Sequence, residues 1–288
     1  MNLDLKDVTI CAVDSVHVAL TARALNLSTA QCRFADAILF SHARAEGAFR
    51  IVEIDKINST AEYSTFCWKE LPKWIGTPFV LIVQWDGYVV NPGAWHPVFR
   101  EFDYIGARWP FVTDGMNVGN GGFSLRSQRF LSALLESRFK THDAANADWL
   151  VCRTYRPALE SEFRIRFAPG NIADLFSHER VAPVGPTFGF HGLGSMWRYV
   201  EDTNLVRLVD LLDPYVYRTV EYSRLLLECF RLGKFELLAA LFARMKAHVG
   251  HDEILHTMTS LAGASACECV RLCESLLSQS CPEIPPSS

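Results

Sequence analysis

The sequence predicts an α/β fold of the Rossmann-like kind, a mixed central sheet flanked by helices, followed by an all-helical C-terminal extension. Three observations carry this reading. Strand-like apolar runs alternate with helical patterns up to about residue 195. One of those runs, Phe79-Val80-Leu81-Ile82-Val83, is apolar throughout, as a central strand covered on both faces must be. From about Met196 onward strand signals cease and only helical periodicity remains.

The elements follow in order. Residues 8–13 are an apolar run that ends in Asp14-Ser15, and a helical pattern continues through Val18, Leu20, Ala24 and Leu27. A second run, 37–40, ends in Ser41-His42, and 49–54 alternates like a half-buried strand. The pattern over 59–75 predicts a helix whose last turn is bent by Pro72, which cannot donate a hydrogen bond. The apolar strand 79–83 carries Gln84-Trp85-Asp86-Gly87 at its carboxyl end, where ligands bind in open α/β sheets. A strand is expected over 103–107, then a glycine-rich turn leading into a strand within 117–127. Ser127 is placed to cap a helix over 128–136, whose Phe130, Leu131, Leu134 and Leu135 share one face. Residues 143–160 read as helical around Asp148, 163–167 alternate as a strand, and 187–192 close the α/β part. Helices are then expected over 205–212, 222–232, 235–248, 252–261 and 267–277, the second and third forming a hairpin around Gly233-Lys234, before a frayed tail at 282–288. The implied division is a catalytic-type domain over 1–195 and a helical region over 196–288.

Composition narrows the function. The chain has 288 residues, 49% hydrophobic and 21% charged, which is ordinary for a globular protein. Folding at this length buries roughly three quarters of the unfolded surface, so any metal serves chemistry rather than stability. A net charge of -4 with scattered basic residues excludes a nucleic-acid footprint. The charged start Met1-Asn2-Leu3-Asp4-Leu5-Lys6-Asp7 lacks a secretory pattern, and no apolar run approaches the roughly 20 residues that span a bilayer. The chain therefore reads as cytoplasmic, with any membrane association peripheral, at the inner face. Nine cysteines at irregular spacing read as reduced thiols, with Cys269 and Cys273 on one helix face and buried in a helix interface.

Chemistry-bearing residues gather around the strand ends. Asp86 is the obvious carboxylate for a divalent cation, although an Asp-Gly pair also opens ordinary turns. His191, in Phe190-His191-Gly192, is a competent metal ligand as a neutral imidazole, against the commoner structural use of a lone histidine. Asp148, near a helix start, competes with the simple reading of a helix-dipole partner. The stretch Gly119-Asn120-Gly121-Gly122 lacks the Lys-Ser/Thr of a phosphate-binding loop and precedes a strand where a dinucleotide fingerprint would follow one, which leaves close approach of a ligand as its use.

An ordered motif series runs through the first 195 residues: Tyr63-Ser64-Thr65-Phe66, Val83-Gln84-Trp85-Asp86-Gly87, Asp103-Tyr104-Ile105-Gly106-Ala107, Gly119 to Ser127, Phe176-Ser177-His178-Glu179 and Phe188-Gly189-Phe190-His191-Gly192. It resembles a bacterial and fungal domain family of glycosyltransferase-like proteins, itself similar to GT-A enzymes. The resemblance implies a GT-A fold and transfer of a sugar from a nucleotide-diphosphate sugar to a saccharide, a lipid-linked glycan or a protein, as in polysaccharide biosynthesis. It implies Mn²⁺ or Mg²⁺ as cofactor, held by Asp86 and His191, with Gln84 standing where the first acid of an Asp-x-Asp motif would be. Asp14, Ser15, Ser41, Tyr63, Gln84, Trp85 and Asp86 fall on the donor side. Asn120, Gly121, Gly122 and Trp109 fall on the acceptor side, and Asp148 is the catalytic carboxylate, where GT-A enzymes carry an acidic pair whose second member is the base in inverting enzymes, with Ala147 where a glutamate would be usual. The competing expectation, supported by the missing first aspartate and missing glutamate, is an inactive GT-A-like module that binds a glycan or a protein. A nucleotidyltransferase is a weaker third, since no lysine-bearing pyrophosphate loop lies near the N-terminus. The C-terminal helices are compatible with covering an acceptor, forming a homodimer or binding a partner.

Overall fold

A computed structural model describes residues 3–141 and 146–279. The chain divides into two compact units, Met1–Gly192 and Leu193–Ser288.

The first unit is a mixed α/β structure. It contains β1 (Leu3–Val13), α1 (Val18–Gln31), β2 (Cys32–Ser41), β3 (Arg50–Glu53), α2 (Thr60–Thr65), β4 (Phe79–Ile82), β5 (Tyr104–Ile105), β6 (Ser124–Ser127), α3 (Gln128–Leu134), α4 (Ala147–Trp149), α5 (Arg156–Phe163), α6 (Gly170–Phe176), β7 (Ser177–His178) and β8 (Gly189–Phe190). Six strands form one sheet in the order β3-β2-β1-β4-β6-β5. The contacts of β1 with β2, of β1 with β4 and of β2 with β3 are parallel, whereas β6 runs antiparallel to β4 and β5. The short strands β7 and β8 pair in parallel with each other.

Period-two alternation along the central strands sorts their side chains into two cores, one per face. Cys11, Val13, Ile38, Phe40, Val80 and Ile82 pack with Trp68, Leu71, Phe130 and Leu134 on one face. Ile10, Ala12, Leu39, Leu81 and Val83 pack with Ala22, Leu25, Phe99 and Phe176 on the other. A strand covered on both sides has no polar face to show, which is why 79–83 is apolar throughout.

Several local expectations are corrected. Residues 163–167 do not form a strand: α5 runs through Phe163, Arg164 takes a left-handed conformation (φ 56°) that turns the chain, and Phe167 makes a single parallel bridge to Tyr104. The helix expected over 59–75 is three pieces, α2, a π-helical turn over Phe66–Glu70 and a 3₁₀ turn over Leu71–Trp74 that holds Pro72 near its start. The helix expected over 143–160 is likewise interrupted, α4 passing through a π-helical turn over Leu150–Thr154 into α5, and residues 142–145 lie outside the described residues. Ser127 caps α3 as its position predicts, accepting the Phe130 N–H at 3.0 Å.

The second unit is helical: α7 (Asp202–Val209), α8 (Val220–Arg231), α9 (Phe235–His248), α10 (His251–Ala262) and α11 (Ala264–Gln279). Gly233, at φ 69°, closes α8 against α9, with the Lys234 N–H donating to the Cys229 carbonyl at 3.0 Å. Tyr222, Leu225, Leu226 and Cys229 of α8 are buried, as are Leu237, Leu238, Leu241, Phe242 and Met245 of α9. Cys269 and Cys273 on α11 are fully buried, and the cysteines of the described residues are free thiols. Among the described residues no helix is long and apolar enough to cross a membrane. The tail at 282–288 lies outside the described residues.

Candidate active site

Strand polarity assembles the site. Because β1, β2 and β4 are parallel, the residues after them share one edge of the sheet: Asp14 and Ser15, Ser41, and Gln84 to Gly87. Because β6 is antiparallel to β4, with Ile82 opposite Ser124, the loop before β6, Gly119 to Phe123, arrives at that same edge. The pairing of β7 with β8 sets His178 opposite Phe190, so the next residues along, Glu179 and His191, emerge side by side.

Gln84 and Gly87 close a two-residue hairpin turn through paired backbone hydrogen bonds of 3.1 and 3.0 Å, with Trp85 and Asp86 at its tip. The turn is held from outside by the Gly192 N–H, which donates to the Asp86 carbonyl at 2.9 Å. The Asp86 carboxylate therefore projects from a fixed backbone. Its Oδ1 lies 3.5 Å from His191 Nε2, and both side chains are largely buried.

His191 is the hub. Its Nε2 also lies 3.0 Å from Gln84 Oε1, whose own amide nitrogen donates to the Tyr63 hydroxyl at 2.9 Å. Its Nδ1 lies 3.0 Å from Asn120 Nδ2 and 3.5 Å from Glu179 Oε1. Two protonation states fit this frame. With a neutral ring, Asn120 donates to Nδ1 and the Nε2–H donates to Gln84; with a charged ring, Nδ1–H faces Glu179. Burial opposes the charge, but Asp86, Glu179 and Asp148 outweigh it and lift the His191 pKa to about 9. The hydrogen bond from Asn120 favours the neutral ring and the carboxylates the charged one, and the charged form prevails because three carboxyl groups act on one buried ring. Burial pushes Glu179 up, yet His191 overrides it and holds Glu179 below the usual carboxylate range.

Asp148 enters from the start of α4, where Asn146 Oδ1 accepts the Asp148 and Trp149 N–H groups. Its Oδ2 accepts the Gly121 N–H at 2.7 Å. Burial raises its pKa, against the lowering pull of that N–H, of Arg126 and of His191. Arg126, 6% exposed, lies beneath, donating to Ser124 Oγ and to the Gly121 carbonyl.

The glycines of the 119–122 stretch admit the site's own side chains. A Cβ on Gly121 would lie 2.3 Å from Asp148 Oδ1, one on Gly122 would lie 2.0 Å from His191 Nε2, and one on Gly119 would lie 2.0 Å from the Trp109 ring. Gln84, Asp86, Asn120, Gly121, Gly122, Asp148, His191 and Tyr63 are thus joined in one contact network, with Trp109 packed at its Gly119 end.

The other donor-side candidates occupy the same edge with their polar atoms engaged in the protein's own hydrogen bonds. Asp14 Oδ1 accepts the N–H groups of Val16 and His17 and Oδ2 accepts the Thr21 hydroxyl, which ties the loop to α1. Ser15 Oγ accepts the Ile57 N–H, Ser41 Oγ accepts the Ala43 N–H, and the Trp85 ring lies 5.2 Å from the His17 ring. Glu179 is the residue that sequence reasoning passed over. It stands at the end of the quoted Phe-Ser-His-Glu motif, but its nearness to His191 comes from a pairing of two-residue strands too short to leave a periodicity.

Among the described residues no group of three or more His, Cys, Asp or Glu side chains is arranged to hold a metal ion. The donors that do converge are Asp86 Oδ1, His191 Nε2 and the amide oxygen Gln84 Oε1, with Nε2 at 3.5 and 3.0 Å from the two oxygens. An oxygen-rich set with one imidazole suits a hard or borderline divalent ion.

A family model described as "Protein of unknown function (DUF5672)" matches residues 48–191, half of the chain. No curated protein matches the sequence. Among solved structures, the chain is similar to the mannosyltransferase PcManGT from Pyrobaculum calidifontis in complex with GDP-Man and Mn²⁺, at 10% identity and a TM-score of 0.39, over 96% of this chain and 88% of that one.

Proposed function

The chain belongs to this DUF5672 family, and we propose that it is a nucleotide-sugar-dependent glycosyltransferase of the GT-A type, with Asp86 at the centre of its donor site. The observation that carries the proposal is the convergence of Asp86 and Gln84 from the turn after β4 with His191, Glu179, Asn120 and Asp148 from four other segments, at the carboxyl edge of a mixed sheet. Carboxylates and an imidazole gathered at a ligand-binding edge are costly to desolvate unless they have a task.

Asp86, Gln84 and, once its Nε2 proton has been released, His191 would hold Mn²⁺ or Mg²⁺, which when bound supplies positive charge to the diphosphate leaving group. Gln84 would bring a neutral oxygen where an Asp-x-Asp motif has a second charge, and Tyr63 fixes the orientation of its amide. Glu179 and Asn120 hold the far nitrogen of the imidazole, fixing its ring plane. Asp148, its pKa raised by burial and its Oδ2 anchored on the Gly121 N–H, is the group suited to take the acceptor proton. The chain's partners on this reading are a nucleotide-diphosphate sugar and a saccharide, lipid-linked or protein acceptor.

The test is Mn²⁺-dependent hydrolysis and transfer across a panel of nucleotide sugars. Asp86→Asn keeps the shape and removes the charge, so we expect activity to fall on the order of 10²–10³-fold, the scale of losing one preorganised electrostatic contact. Full activity in that variant would remove Asp86 from the donor site. No binding of any nucleotide diphosphate with Mn²⁺ by the wild-type chain would favour a non-catalytic glycan- or protein-binding module.

A further inference from the structure

Beside the carboxylate cluster three aromatic rings stand in near-parallel array. Trp109 and Trp149 have ring centroids 5.7 Å apart at 24°, and Trp109 and Phe111 are 6.1 Å apart at 23°. The middle ring is buried against Gly119, but the outer two are open, Trp149 to 43% and Phe111 to 57%. A guanidinium stands over each outer ring: Arg153 over Trp149 at 5.3 Å and Arg180 over Phe111 at 5.8 Å. Arg153 is held in place by a two-pronged pair with Asp114, at 2.5 and 2.6 Å.

Chain continuity ties this array to the reacting groups. Trp149 follows Asp148, Arg180 follows Glu179, and Trp109 rests on the first glycine of the loop whose Gly121 N–H binds Asp148. We propose that the Phe111-Trp109-Trp149 array is the acceptor subsite and that the acceptor it takes is a saccharide, an inference that rests on the glycosyltransferase reading of the adjacent carboxylates.

The chemistry singles out a sugar. Exposing two large rings to water is unfavourable, and contiguous exposed apolar surface of this kind marks a binding site. A pyranose is amphipathic in the complementary way. The C–H groups of one ring face carry partial positive charge and meet the negative faces of aromatic rings, while hydroxyls around its rim need donors and acceptors. The guanidinium of Arg153, with five N–H donors on the group, and the carboxylate of Asp114 stand at the rim of the array. A lipid chain has no hydroxyl to engage the hydrogen-bonding capacity that Arg153 and Asp114 retain beyond their own pair at the rim.

The test separates this proposal from the donor reading. Wild-type protein, Phe111→Ala and Trp149→Ala are applied to immobilised neutral and acidic oligosaccharides, with immobilised acyl chains and peptides as controls, while nucleotide-sugar hydrolysis is measured on the wild type alone. Phe111 is 57% exposed, so its truncation leaves the fold intact even if Trp149→Ala does not. We expect the wild type to retain a class of oligosaccharide and Phe111→Ala to weaken that retention at least tenfold. Hydrolysis without saccharide retention, or retention unchanged in Phe111→Ala, overturns the acceptor subsite and leaves the donor site standing. Retention of acyl chains or peptides in place of sugars overturns the assignment of the acceptor class. Ring-dependent retention of a saccharide without hydrolysis supports the subsite and sinks the transferase reading instead.

Discussion

His191 shows how a single residue integrates the site. Its ordinary pKa is near 6.5, and the folded protein raises it to about 9 against the cost of burial, because Asp86, Glu179 and Asp148 surround it. A raised basic pKa contributes stability that is fully present below the unfolded value, here 6.5, and lost as pH rises through the folded value, near 9. At about 1.4 kcal/mol per pH unit, this corresponds to roughly 3 kcal/mol. In urea unfolding of metal-free protein, the wild type is therefore expected to lose more stability between pH 6 and pH 9.5 than His191→Gln does. Equal losses would show that the folded ring is uncharged. The sequence marked His191 through its aromatic and glycine neighbours, but not the charge state, since the three acids come from positions 86, 148 and 179. Asp86 was legible for the opposite reason: its setting, an apolar strand followed by an Asp-Gly turn, is entirely local.

At the scale of elements, Ser127 joins a strand to a helix. Ser127 Oγ accepts the Phe130 N–H at the start of α3 and donates to Asp103 at 2.5 Å, linking β6, α3 and the start of β5. Asp103, 5% exposed, also accepts the Arg166 N–H and pairs with Arg129. Replacing Ser127 by alanine removes a helix cap, worth about 1 kcal/mol, and takes a donor from a buried carboxylate, worth about 1–3 kcal/mol more. An unfolding free energy from chemical denaturation lowered by that combined amount is the expected outcome, and an unchanged value would show that Asp103 is satisfied without Ser127. The cap could be read from Ser127 alone, since N-cap preference is a local rule. The hub around Asp103 could not, because its partners at 127, 129 and 166 meet only in the folded chain. The failed strand at 163–167 teaches the same point from the other side: alternation was present, but Arg164 turns left-handed and the neighbouring strand offers one bridge.

At the scale of the whole molecule, every residue of the contact network lies within Met1–Gly192, while the described part of Leu193–Ser288 is helical and has its own buried side chains. A ligand that binds only the folded state stabilises the part it touches, by about 2.7 kcal/mol at one hundred times its dissociation constant. Hydrogen exchange with Mn²⁺ and a saturating nucleotide sugar is therefore expected to slow at the β4 turn, the 119–122 loop and the ends of β7 and β8. Unchanged exchange at all of these segments in the presence of bound ligand would place the ligand elsewhere than Asp86.

The sequence by itself determined the α/β class, the central strand with Asp86 at its end, the Ser127 cap and the series of helices after Met196, because each rests on periodicity or on chemistry within a few residues. Only the tertiary structure decided which strand ends face one another. Whether β6 runs antiparallel to β4, and whether β7 pairs with β8, depends on contacts between segments separated along the chain that leave no local pattern. Those two pairings bring Asn120, Glu179 and His191 to Asp86. The glycines at 119, 121 and 122 were visible in the sequence, and what fills the space above them, Trp109, Asp148 and His191, became visible only once the chain had folded.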